Sequence, residues 1–421
     1  MFKRKKYCYL IENILIFIFV HLSICNIFYI RINFALEILR FFGIIYYMKT
    51  VVFGGAFDPP HLEHSRLTEF ACKFLGAERL IIVPTCSPPH KSGGTLSFEH
   101  RVELAKIAFK GCAKEVIVDK IEFERVSDGC KYNYSSDVLP LLKAKYGEIV
   151  YLIGGDSAEH FDTWHKPEDV ASTCPIAIVG RAGYHDVNEQ IDYLTNRFGG
   201  EFIRIDFDGE DVASSEIKAK LFLQIKPDGI SEDVYDYIIK HKLFDKYVPW
   251  LEKLKLWQSP ELFNHTINVV IRAVNLNSLH NLKQDFDKVF QSALLHDNAK
   301  ERPSIDGLDV PEDSIGTSVL HQFLGAEKAR RDFGVEDKDV LSAIAVHTTA
   351  CKDMNVLQKL VYTADSTSYD RQYDPIPSLR EIGDRDFEEG FRAVLEYTHN
   401  KLLKTGKSIY PLTLDAVNQY L

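Results

Sequence analysis

The hydrophobic pattern changes once along this chain, and that change constrains the fold more than any other feature. From Met48 to about residue 247, short runs of β-branched residues alternate with amphipathic stretches. This alternation is typical of parallel strands separated by helices. Beyond residue 250 the apolar spacing is almost entirely helical. We therefore predict an α/β doubly wound parallel sheet in residues 48–247, followed by an all-α helical bundle in residues 250–421.

The individual elements can be placed from the same pattern. The predicted strands are Lys49–Phe53, Arg79–Val83, Glu115–Val118, Ile149–Ile153, Pro175–Val179 and Glu201–Ile205. Predicted helices of the second part are Leu262–Leu276, Asp287–Leu295, Gly325–Phe333, Lys338–Val346, Val356–Ala364 and Phe387–Leu403. Ser259 and Pro260 read as the cap and first residue of the first of these helices. A doubly wound sheet binds its ligand at the carboxyl edge of the strands.

Charge and cysteine content narrow the class of protein. The 421 residues carry a net charge of −10, and outside residues 1–47 there are 44 basic against 58 acidic side chains. A protein with this excess of acidic side chains repels nucleic acid. We therefore expect it to bind small nucleotides locally in a pocket. The eight cysteines form no CxxC pair. They read as reduced thiols of a cytoplasmic protein.

Residues 1–47 form a hydrophobic N-terminal extension behind the basic start Lys3-Arg4-Lys5-Lys6. The apolar run from Ile14 to Ile30 is only just long enough to span a bilayer. Two interpretations stay open: a mis-called translation start, with Met48 as the true first residue, or a membrane anchor. Both leave the body of the protein in the cytoplasm, because the basic flank of an anchor stays inside.

A phosphate-binding turn is predicted after the first strand. Gly54 and Gly55 lie in this turn, and His61 and His64 follow it. Glycines let backbone N–H groups approach a phosphate closely, and the following helix offers its positive N-terminus. The two histidines are three residues apart, so both can face the same anion from one helical turn.

This segment resembles the HxGH motif of the nucleotidyltransferase superfamily, in the form found in nicotinate mononucleotide adenylyltransferases. Further segments resemble that family in order along the chain. They are Pro84–Lys91, Phe98–Arg101, Tyr134–Asp137, Leu152–Asp156, Trp164-His165 and Ser214–Lys218. Three departures occur: Glu63 replaces a Gly, Lys218 replaces an Arg and so loses its bidentate fork, and the segment around Asn133 and Ser135 is altered.

The resemblance implies transfer of AMP from ATP, with Mg²⁺, to nicotinate mononucleotide. On this basis His64 and His61 meet the α- and β-phosphates, and Lys91, Lys218 and Ser215 meet the outer phosphates. Asp156 holds a ribose or the metal's water shell, and Trp164 offers a flat face to the pyridine ring. The remaining ATP- or substrate-binding candidates are Gly54, Gly55, Phe57, Gly154 and Ser214.

A candidate metal site occupies the second part of the chain. Its residues, in order, are His265, His296, Asp297, His321, His347 and Asp365. Imidazole and carboxylate suit first-row metals, and ligands that face inward from several helices are a known way to build such a site. A single HD dipeptide is weak evidence, whereas the ordered set on several helices is strong.

The contexts of these residues resemble bacterial HD-domain hydrolases of the YqeK family. The segments that carry the resemblance are Ala293–Lys300, Leu320–Ala326, Val346–Thr349 and Lys359–Asp365, with Asn298 in place of a common Tyr. The resemblance implies symmetric cleavage of diadenosine tetraphosphate to two ADP at a two-metal centre, with iron as the expected metal. Asp297 is the candidate bridging ligand, and Lys300 and then Arg371 are candidates for contacting a phosphate.

The leading hypothesis is a bifunctional enzyme. In one alternative, the HD part is a nucleotide-sensing or interaction module, although such a module has no need for six metal ligands. In another, nicotinamide mononucleotide is the acceptor, because the choice between acid and amide depends on one or two backbone donors. The sequence leaves the oligomeric state open.

Overall fold

The structure is a computed structural model, and it describes residues 48–86, 96–180, 187–209, 213–305, 307–406 and 408–421. Both interpretations of residues 1–47 and the predicted role of Lys91 fall outside these ranges. Among the helices within them, none has the length and apolar character that crossing a bilayer requires.

The first part of the chain forms a six-stranded sheet in the order β3-β2-β1-β4-β5-β6, and all neighbouring strands are parallel. The strands are β1 (Thr50–Gly55), β2 (Arg79–Pro84), β3 (Glu115–Val118), β4 (Ile149–Gly154), β5 (Ile176–Gly180) and β6 (Phe202–Asp206). Each lies within two residues of its predicted range. The strand order reverses between β1 and β4, so a crevice opens at their carboxyl ends.

Helices cover both faces of the sheet. They are α1 (Leu62–Leu75), α2 (Phe98–Ala108), α3 (Ile121–Ser127), α4 (Ser135–Tyr146), α5 (Gly155–Glu159), α6 (Pro167–Thr173), α7 (Val187–Phe198), α8 (Ser214–Phe222) and α9 (Glu232–Lys240). Val51 and Phe53 belong to the apolar cluster on one face, and Val52 belongs to the cluster on the other. Side chains of a strand alternate between faces, so both layers are apolar as the sequence predicts.

The second part of the chain is helical, which confirms the predicted fold class. Its helices are α10 (Val248–Trp257), α11 (Pro260–Leu279), α12 (Phe286–Leu295), α13 (Leu320–Phe333), α14 (Lys338–Val346), α15 (Val356–Ser366), α16 (Ile376–Arg385), α17 (Phe387–Thr405) and α18 (Pro411–Tyr420). The predicted cap is confirmed, since Ser259 Oγ accepts a hydrogen bond from the Leu262 amide at 3.3 Å. Helices α10, α16 and α18 were not predicted.

One apolar cluster joins the two parts. It runs from α8 and α9 through α10, α11 and α12 into the rest of the bundle. At its centre Phe222, 3% exposed, contacts the rings of Phe244, Tyr247, Phe286 and Phe290 at centroid distances of 5.0–5.9 Å. Helix α8 is therefore packed against the helical bundle, and Lys218 joins it to Asp58 in the segment that follows β1.

We predict that Phe222→Ala lowers the free energy of unfolding by about 3–5 kcal/mol, because it removes a buried ring that four other rings surround. The measurement is the midpoint of urea unfolding. Phe74→Ala is the control, since Phe74 is 57% exposed and its loss should change stability by about 0.5 kcal/mol or less. Equal effects of the two changes would show that this cluster does not hold the junction together.

Candidate active sites

A cleft of about 1260 Å³ opens at the carboxyl edge of the sheet. Of the candidates that the sequence predicts for nucleotide binding, Asp156, Trp164, Ser214, Ser215 and Lys218 line it. Asp156 follows β4, and Ser214 and Ser215 open α8. The Ser215 hydroxyl oxygen is buried and has no hydrogen-bond partner among the described residues. The cleft therefore has an unsatisfied hydroxyl at the start of a helix, where an anion is favoured.

His61 and His64 lie at the start of α1, as predicted. Their rings stack with centroids 3.6 Å apart, and His64 Nδ1 accepts a hydrogen bond from the His61 amide at 3.2 Å. His61 Nε2 lies 3.0 Å from Ser214 Oγ. Among the described residues that line the cleft, Ser214 is present but neither histidine is. The histidine pair therefore lies behind Ser214, which separates it from the cleft.

The glycines of the first turn have different surroundings. A Cβ on Gly55 would lie 2.9 Å from ring carbons of Phe57, whereas one on Gly54 would meet only ordinary contacts. Phe57 is 2% exposed and adopts a φ of 49°. A Cβ on Gly154 would meet nothing within 4 Å. Gly55 is therefore needed for packing against Phe57, and the approach of backbone to phosphate at Gly54, Gly55 and Gly154 stays a prediction.

Lys218 has a close partner that the sequence did not reveal. Its ammonium group lies 2.8 Å from Asp58 Oδ2, and the two side chains are 7% and 0% exposed. The ring of Phe286, from α12, lies 5.1 Å from the same ammonium group. Lys218 therefore lines the cleft as half of a buried ion pair, and its predicted contact with the outer phosphates stays a prediction.

Arg101 organises the loops beside the cleft, a role that its motif alone did not suggest. The side chain is 1% exposed and donates to the carbonyl oxygens of Ala56, Thr85, Cys86 and Leu96 at 2.7–3.3 Å. These carbonyls belong to the segments that follow β1 and β2. A buried guanidinium with four backbone acceptors thus joins the two loops at the carboxyl edge of the sheet.

The six predicted metal ligands converge around one carboxylate. Asp297 Oδ2 lies 3.3 Å from His296 Nε2 and 3.9 Å from His265 Nε2. Its other oxygen, Oδ1, lies 3.3 Å from His321 Nε2 and 3.4 Å from His347 Nε2. Asp365 Oδ1 completes the set at 2.9 Å from His265 Nε2. Each oxygen of Asp297 therefore faces a different pair of imidazoles.

The orientation of the imidazoles is set by their other ring nitrogen. Nδ1 of His296, His321 and His347 each lies 2.8 Å from the backbone carbonyl oxygen three residues earlier. A carbonyl only accepts, so Nδ1 carries a proton, and Nε2 is the nitrogen that faces the centre and can bind a metal ion when the ring is neutral. His265 Nδ1 lies instead 3.0 Å from Asp370 Oδ2. Asp370 was not predicted, although it is a carboxylate only five residues after Asp365.

Burial and charge fit this centre to cations. Burial acts to raise the pKa of Asp297, but the imidazoles of His296, His321 and His347 hold it well below its usual range. Asp297 Oδ1 and His296 Nε2 are buried and have no hydrogen-bond partner among the described residues. Buried polar atoms of this kind are costly unless something else binds them. The donor set fits divalent metal ions, in two overlapping groups: His265, His296 and Asp365, and His296, Asp297 and His347.

Two cationic side chains border the metal centre, as the sequence predicts for Lys300 and Arg371. Lys300 Nζ lies 2.7 Å from Asp297 Oδ2, and Arg371 Nη2 lies 2.8 Å from Asp365 Oδ1. Burial acts to lower the pKa of Lys300, but Asp297 and Asp365 raise it above its ordinary value. Both side chains are therefore charged beside the carboxylates, and their predicted contact with a phosphate stays a prediction.

Comparison with known proteins gives matches for both parts. Residues 52–220 match the cytidylyltransferase-like family, and residues 262–370 match the HD domain family. A Mycoplasma genitalium protein named "Probable nicotinate-nucleotide adenylyltransferase/Ap4A hydrolase" is 25% identical over 366 residues, which cover 84% of this chain and 98% of the relative. A Mycoplasma pneumoniae protein of the same name is 24% identical over 366 residues, covering 83% and 99%.

A third relative is similar over a shorter stretch. The "Probable nicotinate-nucleotide adenylyltransferase" of Carboxydothermus hydrogenoformans is 31% identical over 201 residues, which cover 47% of this chain and 98% of the relative. These matches confirm both resemblances that the sequence motifs predicted. An HD domain implies a bound divalent metal, in agreement with the donor set around Asp297.

We predict that Asp370→Asn weakens metal binding by about 10- to 100-fold, because His265 loses the carboxylate that orients its ring and raises its basicity. The measurement is the affinity for Fe²⁺, obtained anaerobically by competition with a coloured chelator. Asp415→Asn on exposed α18 is the control and should leave the affinity unchanged. An unaltered affinity in Asp370→Asn would mean that His265 is not a ligand or needs no orienting partner.

Proposed function

This chain belongs to the nicotinate-nucleotide adenylyltransferase family and carries an HD domain, and from that premise we propose that it is a bifunctional enzyme. Residues 48–247 transfer AMP from ATP to nicotinate mononucleotide, giving deamido-NAD and pyrophosphate. Residues 250–421 hydrolyse diadenosine tetraphosphate symmetrically to two ADP. The observation that carries the proposal is the match along nearly the whole length of two relatives whose name joins both activities.

The transferase reaction needs alignment more than acid–base chemistry. An oxygen of the mononucleotide's 5′-phosphate bonds to the α-phosphorus of ATP, and the bond to the β-phosphate oxygen breaks, which releases pyrophosphate. The nucleophile is already an anion, so no general base is required. The residues must hold two anions in line and balance the charge that develops. Mg²⁺ bound with ATP would supply part of that balance.

The contacts around α8 and α1 support this assignment. Ser214 and Ser215 offer two hydroxyls and the helix N-terminus to a phosphate, and His61 Nε2 lies behind Ser214 Oγ at 3.0 Å. His64 is stacked on His61, so the two rings lie side by side at the start of α1. Trp164 and Asp156 lie on the same cleft, where a pyridine ring and a ribose would extend from the reacting phosphates.

The hydrolase reaction divides the substrate at its middle. A water oxygen bonds to one of the two central phosphorus atoms, and the bridging bond to the other central phosphate breaks, so that each product is ADP. Two divalent ions, for which iron is the metal we propose, would supply a water of lowered pKa and neutralise phosphate charge. Asp297 faces one imidazole pair with each oxygen, which suits a ligand shared between two ions. We propose that the ammonium group of Lys300 binds a phosphate of the substrate beside the two ions.

The alternative in which the HD part only senses nucleotides or binds a partner fits the site less well. A sensing module needs a binding surface, whereas this site keeps four imidazoles with their orienting partners and the carboxylates of Asp297 and Asp365. Nicotinamide mononucleotide as acceptor is a different reaction of the same cleft. An assay with each mononucleotide distinguishes the two acceptors, whereas these contacts do not.

We predict that the two activities separate by mutation. His296→Ala should abolish hydrolysis of diadenosine tetraphosphate, because it removes a ligand from both metal groups, and should leave dinucleotide synthesis largely intact. His64→Ala should lower the kcat of synthesis by about 100-fold or more and leave hydrolysis unchanged. Each retained activity serves as the folding control for its own variant. Loss of both activities in both variants would contradict two independent centres.

We predict the substrates and metal dependence of the purified chain as follows. With ATP and Mg²⁺ it should convert nicotinate mononucleotide with a higher kcat/KM than nicotinamide mononucleotide, as chromatography of the dinucleotide products would measure. Diadenosine tetraphosphate should yield ADP alone, and a chelator should stop this reaction while Fe²⁺ restores it. Release of ATP with AMP would exclude symmetric cleavage, and hydrolysis that resists prolonged chelation would exclude the metal centre.

A further inference from the structure

The far wall of the sheet-edge cleft belongs to the HD domain. Nine residues of α11, α12 and the turn between them line it, among them Val274, Asn277, Asn281, Lys283, Asp285 and Phe286. The same two helices carry metal ligands at their other ends, with His265 on α11 and His296 directly after α12. At a rise of about 1.5 Å per residue, the twelve residues from His265 to Asn277 span about 18 Å. One helical hairpin thus borders both centres.

The tip of this hairpin is held in a defined shape. Asn277 Nδ2 donates to the Gln284 carbonyl at 3.0 Å, and the Gln284 amide donates to Asn277 Oδ1 at 3.2 Å. Asn281 and Lys283 adopt positive φ values of 46° and 58°, which non-glycine residues adopt only where surrounding contacts hold them. The tip is therefore fixed relative to α11, and α11 is fixed to α8 by the Asn275–Glu216 hydrogen bond at 2.8 Å.

Lys283 differs from the other residues of this wall in its positive charge. Among the described residues that line the cleft, the lysines and arginines are Lys218 and Lys283. Lys218 is neutralised by Asp58 at 2.8 Å. Lys283 is exposed, and none of the ion pairs found among the described residues includes it. A cleft that holds two phosphate-bearing reactants needs positive charge. Apart from Asp58, the carboxylates among the described residues that line the cleft are those of Asp156 and, on this wall, Asp285, so Lys283 is the lysine that can balance a phosphate here.

We propose that Lys283 binds a phosphate of the nucleotides in the adenylyltransferase cleft, so that the HD domain completes the transferase site within the same chain. This inference rests on the proposed function of the cleft and adds a residue that lies outside the sheet domain. The phosphate belongs either to ATP or to the mononucleotide. Because both carry the same chemistry, the KM values of the two substrates distinguish them.

The test compares three variants of the full chain: Lys283→Gln, Lys283→Arg, and the control Lys404→Gln, at an exposed position of α17 outside both centres. Loss of one charge-assisted hydrogen bond should raise the KM of one nucleotide by about tenfold in Lys283→Gln. Lys283→Arg should keep the wild-type KM within about twofold, because the charge remains. Hydrolysis of diadenosine tetraphosphate should be the same in all variants, which shows that the fold is intact.

The affected substrate identifies the phosphate: a raised KM for ATP points to the adenylyl donor, and one for the mononucleotide points to the acceptor. The difference between Lys283→Gln and wild type should shrink at high salt, since counterions screen an exposed charge. KM values in Lys283→Gln equal to those of Lys404→Gln would overturn the proposal while leaving the transferase assignment standing. If the wild-type chain forms no dinucleotide, the proposed function is wrong and this inference falls with it.

Discussion

The packing of α8 against the helical bundle is the constraint on which the rest of this structure depends. One end of the helix carries Ser214 and Ser215 into the cleft, and the other end inserts Phe222 among four aromatic rings. This helix cannot shift without opening the apolar core that it shares with the bundle. The second domain therefore helps to set the position of the Ser214 and Ser215 hydroxyls at the cleft.

At the metal centre the dominant interaction is between one buried carboxylate and four imidazoles. Asp297 is fully buried, and burial alone disfavours a charged carboxylate. The imidazoles reverse that preference and keep the group ionised. Backbone carbonyls at the ends of α12 and α14 fix two of the rings, and Asp370 fixes His265. Positions of the ligands thus follow from helix ends and packing, before any ion is considered.

The two centres are linked by shared elements rather than by a flexible connection. The division between residues 247 and 250 is a prediction from composition, yet the apolar cluster continues across it from α8 to α12. The Lys218–Asp58 pair shows the consequence. Its ammonium group is covered by Phe286 from the helical bundle, so a side chain of the second domain helps to bury a charge in the first.

The sequence by itself determined the strands, most of the long helices and the set of candidate ligands. Strand bounds follow from short β-branched runs, and the six candidate ligands follow from an ordered set of His and Asp on successive helices, because local spacing and residue chemistry carry that information. Contacts between residues distant in sequence required the tertiary structure. The Lys218–Asp58 pair joins residues 160 positions apart, Asp370 meets His265 across 105 positions, and Lys283 reaches the cleft only because α11 packs on α8. Such contacts depend on how helices and sheet pack, and no local pattern of residues records that packing.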